Sequence, residues 1–163
     1  MRISILIATY GHAEWKALAE QRAYPSAICQ VYRYDDENDA LPEVRLGHGE
    51  HSTIAEIRNE GAFHAHGDWV CFLDADDELA PGYLEAMRQA YERESRDDGT
   101  PLLLTPAVQK IIKGREQRPT FYPEVNLRHG NWLIVGTLIQ RDLFMEVGGF
   151  DDQPHGFEDF SLW

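Results

Sequence analysis

The sequence predicts one α/β domain with a mostly parallel sheet flanked by helices. Three observations carry the prediction. Short apolar runs alternate with stretches of helical period along most of the chain, the order of repeated strand–helix–strand units. The first run, Ile3 to Ala8, is apolar almost throughout, as a strand covered on both faces must be. Several runs then end abruptly in polar residues, at Thr9-Tyr10, Asp35-Asp36 and Asp74 to Asp77. Ligands of open parallel sheets bind beyond the carboxyl ends of the strands, so these endings are expected to line one rim.

Composition agrees with this class. A chain of 163 residues, 43% hydrophobic and 11% aromatic, is sized for one folded domain spanning 1–163. Its 15 basic against 28 acidic residues give a net charge of −13, which repels phosphate backbones and argues against nucleic acid as a partner. An anionic small molecule would need a bridging cation. Cys29 and Cys71 lie in apolar stretches with no paired spacing, and are expected to be buried free thiols in a cytoplasmic protein. No apolar run reaches the roughly 18 residues of a membrane span. The opening "MRISILIATY" lacks a small-residue cleavage site after it, so a first strand is expected there, not a signal peptide.

The elements follow in order. After the first strand comes a helix with Trp15, Leu18, Ala19 and Arg22 along one side, which Pro25 is expected to end. "AICQVYRY" (27–34) reads as strand two, and "PEVRLG" as a short third strand. "TIAE" is a capping box that starts a helix at Thr53 with Ile54, Ile57, Gly61 and Ala65 at helical spacing, and Gly67 is its expected stop. Trp69 to Leu73 is strand four. Pro81 suits the first turn of the next helix, whose core face is Leu84, Met87 and Tyr91. "PLLLTPAV" is read as a strand and "KIIKGREQ" as a hairpin or excursion. Val135 to Gln140 reads as a strand, and Arg141 to Val147 as a short helix closed by Gly148-Gly149.

The stretch "FLDADDEL" (72–79) carries the chemistry. A buried strand delivers Asp74, Asp76 and Asp77 to the surface, where like charges raise one another's pKa unless a cation sits among them. In extended chain Asp74 and Asp76, separated by the small Ala75, point the same way and can aim at one hard divalent cation. The alternative is a solvated acidic loop capping the following helix.

Further residues resemble a known family. Arg58-Asn59-x-Gly61, then Gly67-Asp68, an apolar strand and Asp-x-Asp-Asp resemble the family-2 glycosyltransferases of the GT-A fold. "ISILIATYG" resembles that family's first strand and nucleotide loop, and Tyr34 to Asn38 its second-strand acidic turn. "RDLFMEVGGFDD" followed by "FEDFSLW" resembles its acceptor-side helix, Gly-Gly-Phe-Asp turn and Glu-Asp motif. Ala8 and Gly11 depart from the family's usual Pro and Asn.

The resemblance implies a GT-A, nucleotide-diphospho-sugar transferase type of sheet, with residues 1–80 as nucleotide-binding half and 101–163 as acceptor-side half. It implies metal-dependent, inverting transfer from a UDP-sugar or similar donor to an acceptor hydroxyl on a glycan, lipid or protein. Asp76 is the expected ligand of Mn²⁺ or Mg²⁺, with Asp74 on the ribose or the metal, and Asp77 capping the next helix. Thr9, Tyr10, Asp35, Arg58 and Ala75 complete the nucleotide site. Asp159 is the expected general base, with Glu158 beside it, and Trp132, Gly136 and Trp163 lie on the acceptor side. The histidines in "HGEH" and "HAH" are not expected to ligate metal, while His155 or His129 can complete a metal shell. The chain stops soon after the Glu-Asp motif, which suggests self-association over a shortened acceptor region, or a nucleotide-sugar-binding protein without turnover. A phosphotransferase of the haloacid dehalogenase type also has Asp-x-Asp at a strand end, but no suitable lysine block follows here.

Overall fold

The computed structural model of the chain describes residues 1–34, 38–95, 100–119 and 136–152. Its centre is a four-stranded sheet in the order β4-β1-β5-β8, made of β1 (Ile3–Tyr10), β4 (Glu43–Gly49), β5 (Trp69–Leu73) and β8 (Leu138–Gln140). β1 is parallel to both β4 and β5, while β8 runs antiparallel to β5. Helices α1 (Ala13–Gln21), α2 (Ala23–Ile28), α3 (Ile54–His64), α4 (Tyr83–Glu94) and α5 (Arg141–Glu146) flank it. The expected mostly parallel α/β sheet is present, with one antiparallel edge.

Alternation along the central strands explains why they are apolar throughout. Ile3, Ile5 and Ile7 of β1 and Trp69, Cys71 and Leu73 of β5 pack with Ala19, Ala23, Ala27, Leu84 and Met87 from α1, α2 and α4. The intervening Leu6, Val70 and Phe72 face Ala55 and Ala62 of α3 and Phe144 of α5. A period of two thus splits one run between two cores.

The first helix breaks differently from the expectation. Pro25 lies in the first turn of α2, where the amide that proline lacks has no intrahelical partner to lose. Of the α1 residues named as its core side, Ala19 is buried and Trp15 is 46% exposed. The strand read over 27–34 shrinks to β2 (Tyr32–Arg33), which pairs antiparallel with β3 (Asp39–Ala40) outside the main sheet. Gln30 interrupts it, because its buried amide bonds to backbone atoms of another segment. Cys71 is buried as expected, but Cys29 is exposed at the end of α2.

The expected third strand is β4, longer than foreseen, and it holds the sheet's edge beside β1. The capping box at Thr53 forms in both directions, with Glu56 N donating to Thr53 Oγ1 and Thr53 N to Glu56 Oε2. α3 ends without a left-handed residue: its C-cap is Ala65, in extended backbone. Arg141 donates to the Ala62 and Phe63 carbonyls at that end. Gly67 has another duty, since a Cβ there would stand 2.6 Å from both Ser4 N and Ser4 Oγ. The reading over 101–108 reduces to isolated bridge positions at Leu104, which pairs antiparallel with Leu138, and at Val108, with prolines nearby that cannot donate to a ladder. The hairpin over "KIIKGREQ" is real: β6 (Ile111–Ile112) and β7 (Arg115–Glu116) join through Lys113 and Gly114, both at positive φ.

Glu43 ties the amino-terminal end of the sheet together. Its carboxylate accepts from Ser4 Oγ, from the His66 backbone amide and from Arg45. Desolvation pushes its pKa up, but the bonds from Ser4, His66 and Arg45 outweigh it and bring the value down to about 2. The folded-state value lies below the unfolded one, so this contribution is full above the ordinary Glu value of 4.5 and fades as pH falls toward 2. Glu43→Gln should therefore be less stable than the parent at pH 7 in urea unfolding, with the gap narrowing as pH drops through that window; a constant gap would contradict the role. Gly67→Ala should cost about 1–3 kcal/mol in the same assay, the range for overpacking a tight contact.

Candidate active site

β1 and β5 are hydrogen-bonded neighbours up to Ile7 and Leu73, so Thr9-Tyr10 and the acidic stretch leave the sheet at the same rim. The stretch is a turn, not the extended chain expected from its spacing: Asp77 N donates to Asp74 O at 3.2 Å. Ala75 points into the core, 7% exposed, and the turn swings the carboxylates of Asp74, Asp76 and Asp77 together. One oxygen from each lies within 4.8 Å of the others. Asp77 does not cap α4, whose N-cap is Gly82 with no side-chain bond.

Three carboxylates in so small a space oppose one another. Loss of solvent, then the charges of Asp74 and Asp76, push the Asp77 carboxyl above its ordinary value, against a weaker opposing pull from Arg22. The donor set fits a hard divalent cation. Oxygens sharing one octahedral Mg²⁺ stand roughly 3–4.2 Å apart, from metal–oxygen bonds of about 2.1 Å.

α3 supplies the local counter-charge. Arg58 is 6% exposed, and its Nη2 donates to Asp74 Oδ1 at 2.7 Å. Its guanidinium also lies 5.2 Å from the centre of the Phe150 ring. Next to it, Asn59 clamps the backbone of Phe150 from both sides, donating through Nδ2 to the carbonyl at 2.8 Å and accepting the amide at Oδ1 at 2.9 Å. Gly149, at φ +73, must lack a Cβ, which would stand 2.5 Å from Asn59 Oδ1. The sequence marked Asn59 as part of a motif but assigned it no role. Its partner is 91 positions away, so nothing local signals the clamp.

The remaining nucleotide-side residues divide. Tyr10 is 51% exposed at the rim, open to a ligand. Thr9 is buried, with Oγ1 donating toward Gly47 O at 3.2 Å and lying 3.0 Å from His48 Nδ1. Gly136 is buried at φ +89, donates to Phe72 O and accepts from the Tyr83 hydroxyl, so it fixes the start of β8. His66 pairs with Glu43, far from the acidic turn in the fold. Among the described residues, the Asp74–Asp76–Asp77 group is the one cluster of metal-ligating side chains. Asp35, Trp132, Glu158, Asp159 and Trp163, with His129 and His155, lie outside the described residues.

Comparison with known proteins bears on this rim. Residues 32–105 match the family model "Glycosyl transferase family 2". The chain is 25% identical to an uncharacterized glycosyltransferase, YwdF, of Bacillus subtilis, over all of this chain and 67% of that protein. It is 25% identical to the O-antigen biosynthesis protein RfbC of Myxococcus xanthus, over 98% of this chain and 12% of that one. It is 23% identical to a glucosyl-dolichyl phosphate glucuronosyltransferase of Haloferax volcanii, over 93% of this chain and 56% of that one. The fold matches crystal structures of S. aureus TarS, with a TM-score of 0.66 at 17% identity over 98% of this chain and 53% of that one. The TarS complex with UDP-GlcNAc gives 0.65 at 16% identity, over 99% and 52%. The chain thus spans about half of these TarS chains and unequal parts of the relatives. The segment that matches the glycosyl transferase family 2 model carries Arg58 and the acidic turn, and the fold is the one seen in the TarS structures.

Proposed function

We propose that the chain is a metal-dependent, inverting glycosyltransferase that moves a sugar from a UDP-sugar to an acceptor hydroxyl. The observation that carries the reading is the acidic turn, with three carboxylates gathered at the end of β5 and Asp74 fastened by Arg58. A family of nucleotide-sugar enzymes and a fold shared with a UDP-GlcNAc-bound protein supply the substrate class.

Asp76 and Asp74, with Asp77 beside them, would hold a Mn²⁺ or Mg²⁺ ion, which supplies charge neutralisation for a departing diphosphate. Tyr10 offers an exposed ring at the rim for the base, and Asp35 an acceptor for its N–H. Arg58 holds Asp74 in place and keeps the turn from opening under its own repulsion. Asp159 takes the proton from the acceptor hydroxyl as the acceptor oxygen attacks the anomeric carbon on the face opposite the leaving diphosphate. Glu158 and the aromatic residues Trp132 and Trp163 serve the acceptor, with the 1–80 half binding donor and the 101–163 half receiving.

Calorimetric titration of UDP, and of GDP for comparison, tests this with and without Mn²⁺. UDP should bind only with metal present, and Asp76→Ala should abolish that binding; equal binding with and without metal would overturn the metal reading. Asn59→Ala should lower transfer more than it weakens donor binding, because it frees the turn leading toward Asp159 and leaves Asp74 paired. Asp159→Asn should keep donor binding and cut turnover by roughly 10²- to 10⁴-fold, the usual worth of a positioned base. Full turnover in that variant would assign the base to another group, and donor binding without transfer by the parent would leave binding as the protein's task.

A further inference from the structure

The segment that leaves the acidic turn is held only in part by its own backbone, through Tyr83 N donating to Ala80 O at 3.1 Å. α4 follows Gly82, in left-handed backbone at φ +77, with no side-chain cap, so the amide after Tyr83 needs a partner from elsewhere. α2 and the residues after it provide it. Gln30 is 2% exposed, and its Oε1 accepts the Leu84 amide at 3.4 Å. Its Nε2 lies within donating distance of three carbonyls, Ala80 at 3.1 Å, Leu79 at 3.4 Å and Ser26 at 3.1 Å. Ser26 Oγ accepts the Leu79 amide at 3.1 Å while donating to Ala23 O at 2.8 Å. On the surface, Arg22 pairs with Glu78 at 2.9 Å. One buried amide and one hydroxyl thus take up the Leu79 and Leu84 amides and the Leu79 and Ala80 carbonyls. A buried amide whose capacity is spent on a distant loop is costly to misplace.

Gln30 also stands two residues before β2, which leads to Asp35. A second bond reinforces that link, since Arg33 N donates to Glu85 of α4 at 2.9 Å. The chain toward the base end of the donor and the loop leaving the diphosphate end are therefore fastened to each other.

We infer that Gln30 and Ser26 are positioning residues for the acidic turn, setting the divalent-cation affinity of Asp74, Asp76 and Asp77 by fixing the backbone of residues 79–84. The inference rests on the metal reading above. Its test is Mn²⁺ binding to the full chain, read from the loss of free-ion electron paramagnetic resonance signal, for the parent, Ser26→Ala, Gln30→Met and Gly67→Ala. Gln30→Met keeps the volume and removes the polar ends, and Ser26→Ala is the milder change should the first fold poorly. Gly67→Ala disturbs packing against Ser4, at the opposite end of the sheet, and controls for a general loss of stability. The expected result is Mn²⁺ affinity weaker by about tenfold in Ser26→Ala and Gln30→Met, the low end for removing a group that supports metal ligands, with Gly67→Ala unchanged. Equal affinity in all four proteins overturns the inference and leaves the metal reading standing, as does equal weakening in Gly67→Ala. No Mn²⁺ binding by the parent overturns the metal reading and this inference with it.

Discussion

A buried guanidinium cannot stand alone, and Arg58 organises the rim because of that need. Removing it from water is affordable only with an anion and further contacts at close range. Asp74 supplies the anion, and the Phe150 ring supplies a face for the cation. Phe150 stays there because Asn59 holds both of its backbone groups and because Gly149 leaves room for Asn59. Phe150 in turn packs edge-on against Phe72, inside the strand that delivers Asp74. The loop closes on itself: helix, strand end and glycine turn each hold the next. Moving any one of them exposes a charge or orphans an amide.

The two ends of the sheet solve opposite problems. At the amino-terminal end Glu43 is surrounded by donors, and its charge is welcome. At the carboxyl end three carboxylates crowd together with Arg58 as their close cationic partner among the described residues, and the Asp77 carboxyl resists ionising. The first arrangement suits a support and the second suits a site. Both depend on the same parallel pairing of β1 with its neighbours, which places Ser4 beside Glu43 at one end and Thr9-Tyr10 beside the acidic turn at the other.

What the sequence disclosed follows the range of the interactions involved. Local signals were legible: the capping box at Thr53, the apolar strand from Trp69 to Leu73 and the glycine pair after α5 are fixed by residues close in the chain, and of the hairpin or excursion read over "KIIKGREQ" the hairpin is the one formed. The acidic cluster was legible too, because three aspartates within four positions meet in any compact backbone. Their turn geometry was not, because it depends on Ala75 being drawn into the core. Gly67 looked like a helix stop, since glycine after a helix usually is one; its true constraint is the backbone of Ser4, 63 positions away in sequence. The strand read through Gln30 failed for the same reason. An apolar run with one amide in it reads as strand until the amide's distant partners are known.

The acidic turn is gripped from both faces of the sheet. Asp74 faces α3 and meets Arg58, while Ala75 and Leu79 face the other core, where Ser26 and Gln30 fasten the departing chain. A loose loop would let its like charges spread into solvent and lower their mutual repulsion. A loop held on two sides keeps them close, so the repulsion persists in the folded chain and is relieved when positive charge arrives. The cost of assembling the three carboxylates is then met by core packing and backbone bonds during folding, and under the proposed metal binding would not be charged again to the cation. On a chain of net charge −13, that local density would also decide where a divalent cation bound, because scattered surface carboxylates offer one ligand at a time and this turn gathers three carboxylates.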